Sequence, residues 1–312
     1  MRKVHLNASG GAIVTRYDEP VYRPPSEANS LVIQATIGCP HNKCTFCFMY
    51  KGKKFRKRPL EDIKEDIAGA KLLYGEHVQT IFLADGNTIA IRTDELLEIL
   101  NFCYAVFPKL ERVTCYGAAK FVLRTKTAEQ LKKLRKAGLK RLHMGLESGN
   151  DEILGKICKG ATADEMVEAG RMVKESGMEL SQYVLLGIGG KELWKEHALD
   201  TAKTLNAMNP DFIRVRTLIL RPDAPLWGRF KSGDFVPETE EEIVNETKLL
   251  VENLSVTSEF CSDHVSNIAN INGQLPMDKA RMIEVLNSLM EKAANLPQDR
   301  EWAVDADTAR CL

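Results

Sequence analysis

The chain has 312 residues, 44% of them hydrophobic and 28% charged, with a formal net charge of zero. That length holds one large barrel domain or two smaller domains, and the neutral balance argues neither for nor against nucleic acid as a partner. No apolar run approaches the ~20 residues of a membrane span. The opening Met1-Arg-Lys-Val-His-Leu-Asn7 lacks the long apolar core of a signal peptide, so a cytoplasmic protein is expected.

Strand-like and helix-like segments alternate from about residue 31 to 220. The apolar, β-branched run Leu31–Ile37 predicts a buried strand. A helix follows over Pro59–Tyr74, with Pro59 at its start and acids in its first turn. Next come a strand over Val78–Leu83 and a helix over Thr93–Phe107 capped by Thr93 or Asp94. A strand over Arg112–Tyr116 precedes a helix over Thr127–Ala137 that Gly138 stops. A strand over Lys140–Leu146 leads to a short helix over Asp151–Cys158 and a longer one over Thr162–Ser176, stopped by Gly177. The last pairs are a strand over Leu180–Leu186, a helix over Leu193–Met208 and a strand over Phe212–Ile219. Two further helices, Thr239–Asn253 and Asp278–Ala294, flank an irregular stretch, and the polar tail after Pro297 is expected to fray.

Six β/α repeats of this regularity predict an α/β fold with a parallel sheet and helices outside it. Their length suits a partial (β/α)6 barrel better than a closed eightfold one, with an open doubly wound sheet as the alternative. Functional loops would lie at the strand C-termini in either architecture. The expected organisation is a short N-terminal lead (1–30), the barrel (31–225), and a helical C-terminal extension that closes it (226–312).

The densest chemistry is in Cys39-Pro-His-Asn-Lys-Cys44-Thr-Phe-Cys47, three cysteines within nine residues after the first strand. A disulfide framework belongs to small secreted chains, so a metal or cluster site in a reducing compartment fits better. Two metals compete here. Zinc would take a fourth ligand, and His41 lies inside the loop. A [4Fe–4S] cube needs only the three thiolates, which leaves its fourth iron open to an outside ligand. The other cysteines, Cys103, Cys115, Cys158, Cys261 and Cys311, are scattered. A second cluster would need the fold to gather Cys115, Cys261 and Cys311, and isolated cysteines are usually small buried hydrophobes.

The cysteine loop resembles that of the radical S-adenosylmethionine (SAM) superfamily, with four residues and then two between its cysteines where three and then two are usual. Other stretches fall in the order such a barrel requires. Phe46 matches the aromatic position that lies against adenine. Asp85-Gly86-Asn87-Thr88 follows the second strand, where the family carries a Gly-rich segment meeting the SAM amino group. Gly145-Leu-Glu147-Ser148-Gly149 is similar to the Gly-hydrophobic-Glu-Ser signature at the fourth strand. Leu186-Gly187-Ile188-Gly189-Gly190 ends the fifth strand, where glycines approach adenine. Lys159 sits where related enzymes place a basic residue near the SAM carboxylate, and Gln182 has the position of a ribose ligand. The resemblance covers residues 30–220 and is closest to the elongator, coproporphyrinogen oxidase and methylthiotransferase branch. It implies a cluster on Cys39, Cys44 and Cys47, SAM on the fourth iron, and a 5′-deoxyadenosyl radical that takes hydrogen from a substrate. An oxygen-sensitive cluster of this kind would suit an anaerobic host.

In the sixth strand Ile213 and Val215 alternate with Arg214 and Arg216, so both arginines are expected to face the lumen and suit an anionic substrate. They would otherwise pair with Glu147 or Asp85 and build the wall. His143 is expected on the face of Gly145 and Glu147, and Tyr116 with Thr114 on an inner face. Cys115 or Tyr116 is a candidate hydrogen-atom donor. The basic run Lys51-Gly-Lys53-Lys54-Phe-Arg56-Lys57-Arg58 reads as a solvated loop, as a dock for flavodoxin or ferredoxin, or as a phosphate-backbone contact. The polar stretch from Cys261 through His264 to Asn267 reads as a surface connection or as a loop over the barrel mouth. The enzyme reading is thus a radical SAM enzyme on a small, anionic substrate, with tRNA modification and a non-catalytic zinc-stabilised binding protein as alternatives.

Overall fold

A computed structural model describes residues 3–6 and 12–293. By internal contacts the chain forms two compact units. The first comprises residues 1–42, 52–144 and 172–179, and the second comprises residues 43–51, 145–171 and 180–312.

In the first unit, β1 (Lys3–Leu6) and β2 (Ala12–Thr15) pair as an antiparallel hairpin, so the N-terminal lead carries structure of its own. Then follow β3 (Leu31–Gln34), β4 (Thr36–Ile37), β5 (Arg56–Lys57), α1 (Leu60–Tyr74), β6 (Thr80–Ala84), α2 (Thr93–Val106), β7 (Arg112–Gly117), α3 (Ala119–Thr125), α4 (Ala128–Lys136) and β8 (Leu139–Glu147). Strands β3, β6, β7 and β8 are neighbours in that order and run parallel. Ile81, Phe82, Leu83 and Ala84 of β6 are all fully buried, as a parallel strand covered on both faces requires. The predicted first strand divides at Ala35, whose N–H donates to Ala84 O, and β4 turns away to pair with β5. Thr127 and Gln130 form a capping box at the start of α4. Gly138 ends that segment at φ +104, where a Cβ would meet the Tyr104 ring at 2.0 Å. Helix α2 starts at Thr93, but Arg92 is its cap and makes no side-chain cap bond.

Strand β8 and helix α6 (Ala163–Glu175) each have residues in both units. The second unit holds α5 (Asp151–Lys156), β9 (Glu179–Leu186, from Leu180), α7 (Gly190–Met208), β10 (Phe212–Thr217), α8 (Leu226–Ser232), α9 (Glu240–Asn253), β11 (Glu259–Cys261), β12 (Gly273–Gln274) and α10 (Lys279–Ala293). Strands β9, β10 and β11 run parallel, and β12 closes the edge antiparallel to β11. Helix α7 starts three residues earlier than predicted because two helices merge across a kink at Leu193. Thr239 and Glu242 form a capping box on α9.

The stretch around Cys261 is not a bare connection. Cys261 ends a strand paired with β10, and Asn267 Nδ2 donates to Val215 O at 2.9 Å. Strand β10 alternates as expected, with Ile213 and Val215 buried and Arg214 and Arg216 half-buried. The tail after Pro297, with Cys311, lies outside the described residues.

Candidate cofactor site

Cys39, Cys44 and Cys47 are reduced thiols, each half-buried. In the first unit the root of their loop is fastened by Asp85, which is fully buried. Asp85 Oδ2 accepts the Gly38 N–H at 3.1 Å, and the Asp85 N–H donates to Thr36 Oγ1 at 3.1 Å. Asn87 is also buried, with Oδ1 accepting the Ala118 N–H at 3.2 Å. Asp85 thus ties down the start of the cysteine loop, and Asn87 holds the start of the segment after β7. Gly86 between them is the part-exposed member, and it offers only backbone.

On the inner-face residues of this unit, the Tyr116 ring stands edge-on to Phe82 at 5.0 Å and 6.1 Å from His143. His143 Nε2 meets Glu27 Oε1 at 3.1 Å, with Arg112 at 3.6 Å and Ser30 Oγ also on that carboxylate. His143 thus belongs to a buried charge cluster, which supplies a structural role for a candidate catalytic residue. Burial alone would raise the Glu27 carboxyl, but the hydrogen bonds from His143 and Ser30 and the nearby positive charge outweigh it and hold it at about 2. Cys115 is one residue from Tyr116, so it faces the other side of β7. It is fully buried, and burial pushes its thiol up to about 12. It does not share the face of Tyr116.

In the second unit the backbone of Thr45 is held at both ends, its N–H by Ile157 O at 2.9 Å and its carbonyl by the Leu226 N–H at 2.8 Å. This sets Phe46 with Lys159 Nζ 5.8 Å from its ring centre. Lys159 Nζ also pairs with Glu147 Oε1 at 2.9 Å. The two side chains fill the space over Gly145, where a Cβ would lie 2.0 Å from Glu147 Oε1. Glu147 itself sits at φ +65, a region L-residues rarely adopt. Ser148 is fully buried and accepts the Asn150 N–H at 3.0 Å. Gln182 is carried by β9. It lies on the strand face opposite Ser181 and Tyr183, fully buried, with Nε2 toward Met208 Sδ at 3.2 Å.

Arg214 Nε donates to Ser181 Oγ at 3.1 Å, and the Arg216 guanidinium lies 5.2 Å from the Tyr183 ring centre. Neither has a carboxylate partner among the described residues, and Glu147 pairs with Lys159 instead. Nearby, burial and the charge of Arg216 push His264 down to about 4, and its Nδ1 contacts Ser266 Oγ at 2.7 Å. The basic run is partly consumed by the protein. Arg58 is buried against Asp66 at 2.6 Å, Arg56 meets Asp18 at 3.1 Å, and Lys57 pairs with Glu95. Lys54, Arg56 and Lys57 keep exposed surface.

Two features of the second unit were missed in the sequence. His197 Nδ1 is joined to Glu246, and both residues are buried. His197 Nε2 reaches Glu147 O at 3.0 Å, while Glu246 Oε2 accepts the Gly187 N–H at 2.8 Å. Their signal was available, since each is a polar residue at a core position of an amphipathic helix, in step with Thr201 and Leu205 on α7 and with Ile243 and Leu250 on α9. The second feature is Glu238, 2% exposed, which lines a cleft with Gly187, Thr217, Leu218, Leu220, Pro237 and Ile243. Neither of its carboxyl oxygens has a hydrogen-bond partner, and burial, aided by Glu246 and Glu242, pushes the acid up to about 10.

Residues 33–203 match the family model described as the radical SAM superfamily. The chain belongs to that superfamily. It is an enzyme of the radical SAM type, and members of the superfamily use a [4Fe–4S] cluster and SAM. Among curated relatives it is 25% identical over 118 residues to the tRNA uridine(34) acetyltransferase of Methanocaldococcus infernus, covering 37% of this chain and 22% of that protein. It is 25% identical over 168 residues to the heme chaperone HemW of Bacillus subtilis, covering 53% and 43%. The chain thus spans well under two thirds of the length of either. Among solved structures, coproporphyrinogen III oxidase (HemN) from Escherichia coli has a TM-score of 0.55 at 19% identity, over 72% of this chain and 52% of that one. Methylornithine synthase (PylB) has a TM-score of 0.52 at 18% identity, over 91% and 85%. These likenesses give the fold, an α/β partial barrel of the radical SAM type. Among the described residues, no helix is long and apolar enough to cross a membrane.

Proposed function

We propose that Cys39, Cys44 and Cys47 hold a [4Fe–4S] cluster, that SAM binds at its fourth iron, and that the enzyme takes hydrogen from an anionic small molecule. The donor set carries this reading: three reduced, half-buried thiols within nine residues, on a loop whose root Asp85 fastens. Three thiolates suit three irons of a cube, each on its own metal. A single zinc ion would instead need a fourth ligand beside the three thiolates. When bound, the cluster supplies the electron that cleaves SAM to methionine and a 5′-deoxyadenosyl radical.

The chain's own residues would bind and orient. Glu147 and Lys159 offer one acceptor and one cation to the amino and carboxylate groups of SAM. Gly86 offers backbone, the Phe46 ring flanks the base, and Gly187 borders it. Arg214 and Arg216 support the choice of an anionic substrate, because half-buried guanidiniums without carboxylate partners favour an oxyanion. The exposed Lys54, Arg56 and Lys57 would serve an acidic flavodoxin or ferredoxin.

Anaerobic reconstitution tests the reading. The expected product is brown protein with about four irons and four sulfides per chain that forms 5′-deoxyadenosine from SAM and a reductant. Deuterium from labelled anionic candidates should appear in that product. Colourless protein with one bound zinc sinks the proposal. The tRNA-modifying alternative is supported by the match to the acetyltransferase above, and salt-sensitive RNA binding would favour it.

A further inference from the structure

The His197–Glu246 pair touches two loops through backbone atoms, one on each. His197 Nε2 faces a carbonyl oxygen, which only accepts, so that nitrogen carries a proton. Nδ1 faces the Glu246 carboxyl, with one further proton between them, so the pair is neutral as a whole. The other carboxyl oxygen of Glu246 is taken by the Gly187 N–H. Stability alone does not explain such a pair, because apolar residues of similar volume serve as well or better at buried positions. What an apolar pair cannot do is fix Glu147 O and Gly187 N. Glu147 is also the residue held at positive φ, a conformation that persists only where its surroundings over-determine it. Helix α9, which supplies Glu246, lies outside residues 33–203, the stretch that matches the family.

We infer that His197 and Glu246 are positioning residues that lock the Glu147 loop and the Gly187 loop in one register and so preform the SAM cleft. The inference rests on the reading of those two loops as SAM-binding.

The test compares reconstituted variants for iron and sulfide content, melting temperature, SAM affinity, and the change that SAM causes in the electron paramagnetic resonance spectrum of the reduced cluster. H197L/E246L replaces the pair by apolar side chains, and it should keep its iron and its melting temperature. Its SAM affinity should fall by about tenfold or more, the scale for loss of groups that orient ligating residues, and the SAM-dependent spectral change should need correspondingly more SAM. E246Q keeps a carbonyl for Gly187 and an N–H for His197, so it should bind SAM within about threefold of the unsubstituted protein. Leu250→Ala weakens the same buried helix face and removes no hydrogen bond to either loop, so its SAM affinity should stay unchanged. That control, set against E246Q and E246L, keeps the test decisive if the double variant does not fold. Unchanged SAM affinity in E246L or in the double variant overturns the inference, as does E246Q weakening binding as much as E246L. Failure of the unsubstituted protein to bind SAM overturns the cofactor reading itself and this inference with it, and it is visible before any variant is made.

Discussion

Asp85 accepts the backbone N–H of Gly38, the residue immediately before Cys39, through a fully buried carboxylate. A residue 47 positions away thus sets where the cysteine loop begins. Removing that acceptor leaves a buried N–H unmatched, at a cost of about 1–3 kcal/mol. Asp85→Ala should lower iron and sulfide retention after reconstitution while leaving the protein folded by circular dichroism. Full iron content in that variant would detach Asp85 from the loop.

The Glu147–Lys159 pair makes a second prediction. Lys159→Met and Glu147→Gln should each weaken SAM binding by about tenfold, roughly 1.4 kcal/mol. The two side chains contact one another, so the double variant should lose less than the sum of the singles. Strict additivity in titrations of SAM would mean that the contact between the two side chains contributes nothing to binding.

Much of this arrangement was legible in advance. Period-two alternation placed Arg214 and Arg216 on one face of β10, and the Thr127 and Gly138 signals bounded α4. Alternation separates the two faces of a strand but does not say which one a helix will cover. Strand position alone therefore did not show that Gln182 would lie beside Met208 or that Cys115 would face away from Tyr116. The two- and three-residue strands β11 and β12 are too short to carry a periodic signal. The backbone bonds of Asp85 and Ser148 were not legible either, because a polar residue in a loop looks the same whether it will bind a ligand or its own backbone.

Acid should attack the first unit through Glu27. Its carboxyl is held at about 2, below the ordinary 4.5, so the stability it contributes is present above pH 4.5 and is lost as pH falls toward 2. Glu27→Gln leaves Arg112 and the His143 ring without their carboxylate and should cost about 3–5 kcal/mol at neutral pH. Melting curves from pH 3 to pH 7 check this. The variant should show a flatter pH dependence below pH 4.5, and an unchanged slope would rule out Glu27 as its source.

Glu238 has the opposite sign. Its acid is held at about 10 against an ordinary 4.5, so the unfolded chain releases a proton that the folded chain keeps. This position therefore loses stability as pH rises from 4.5 toward 10, with Glu242 and Glu246 as the neighbouring charges. Glu238→Gln should raise stability by about 1 kcal/mol or more at pH 8, with a smaller gain at pH 5. Equal melting temperatures at both pH values would show that the carboxyl is ionised in the folded protein.

The bond from Glu246 to Gly187 also bears on where this enzyme can be divided. Every residue in the family pattern precedes α9, yet the acid that ties Gly187 to the Glu147 loop is borne by that helix. A chain ended after β10 would retain each motif intact in its letters. It would also leave His197 facing a missing acid and the Gly187 amide without its acceptor, so the bonds that hold these two loops reach further along the chain than the recognisable pattern.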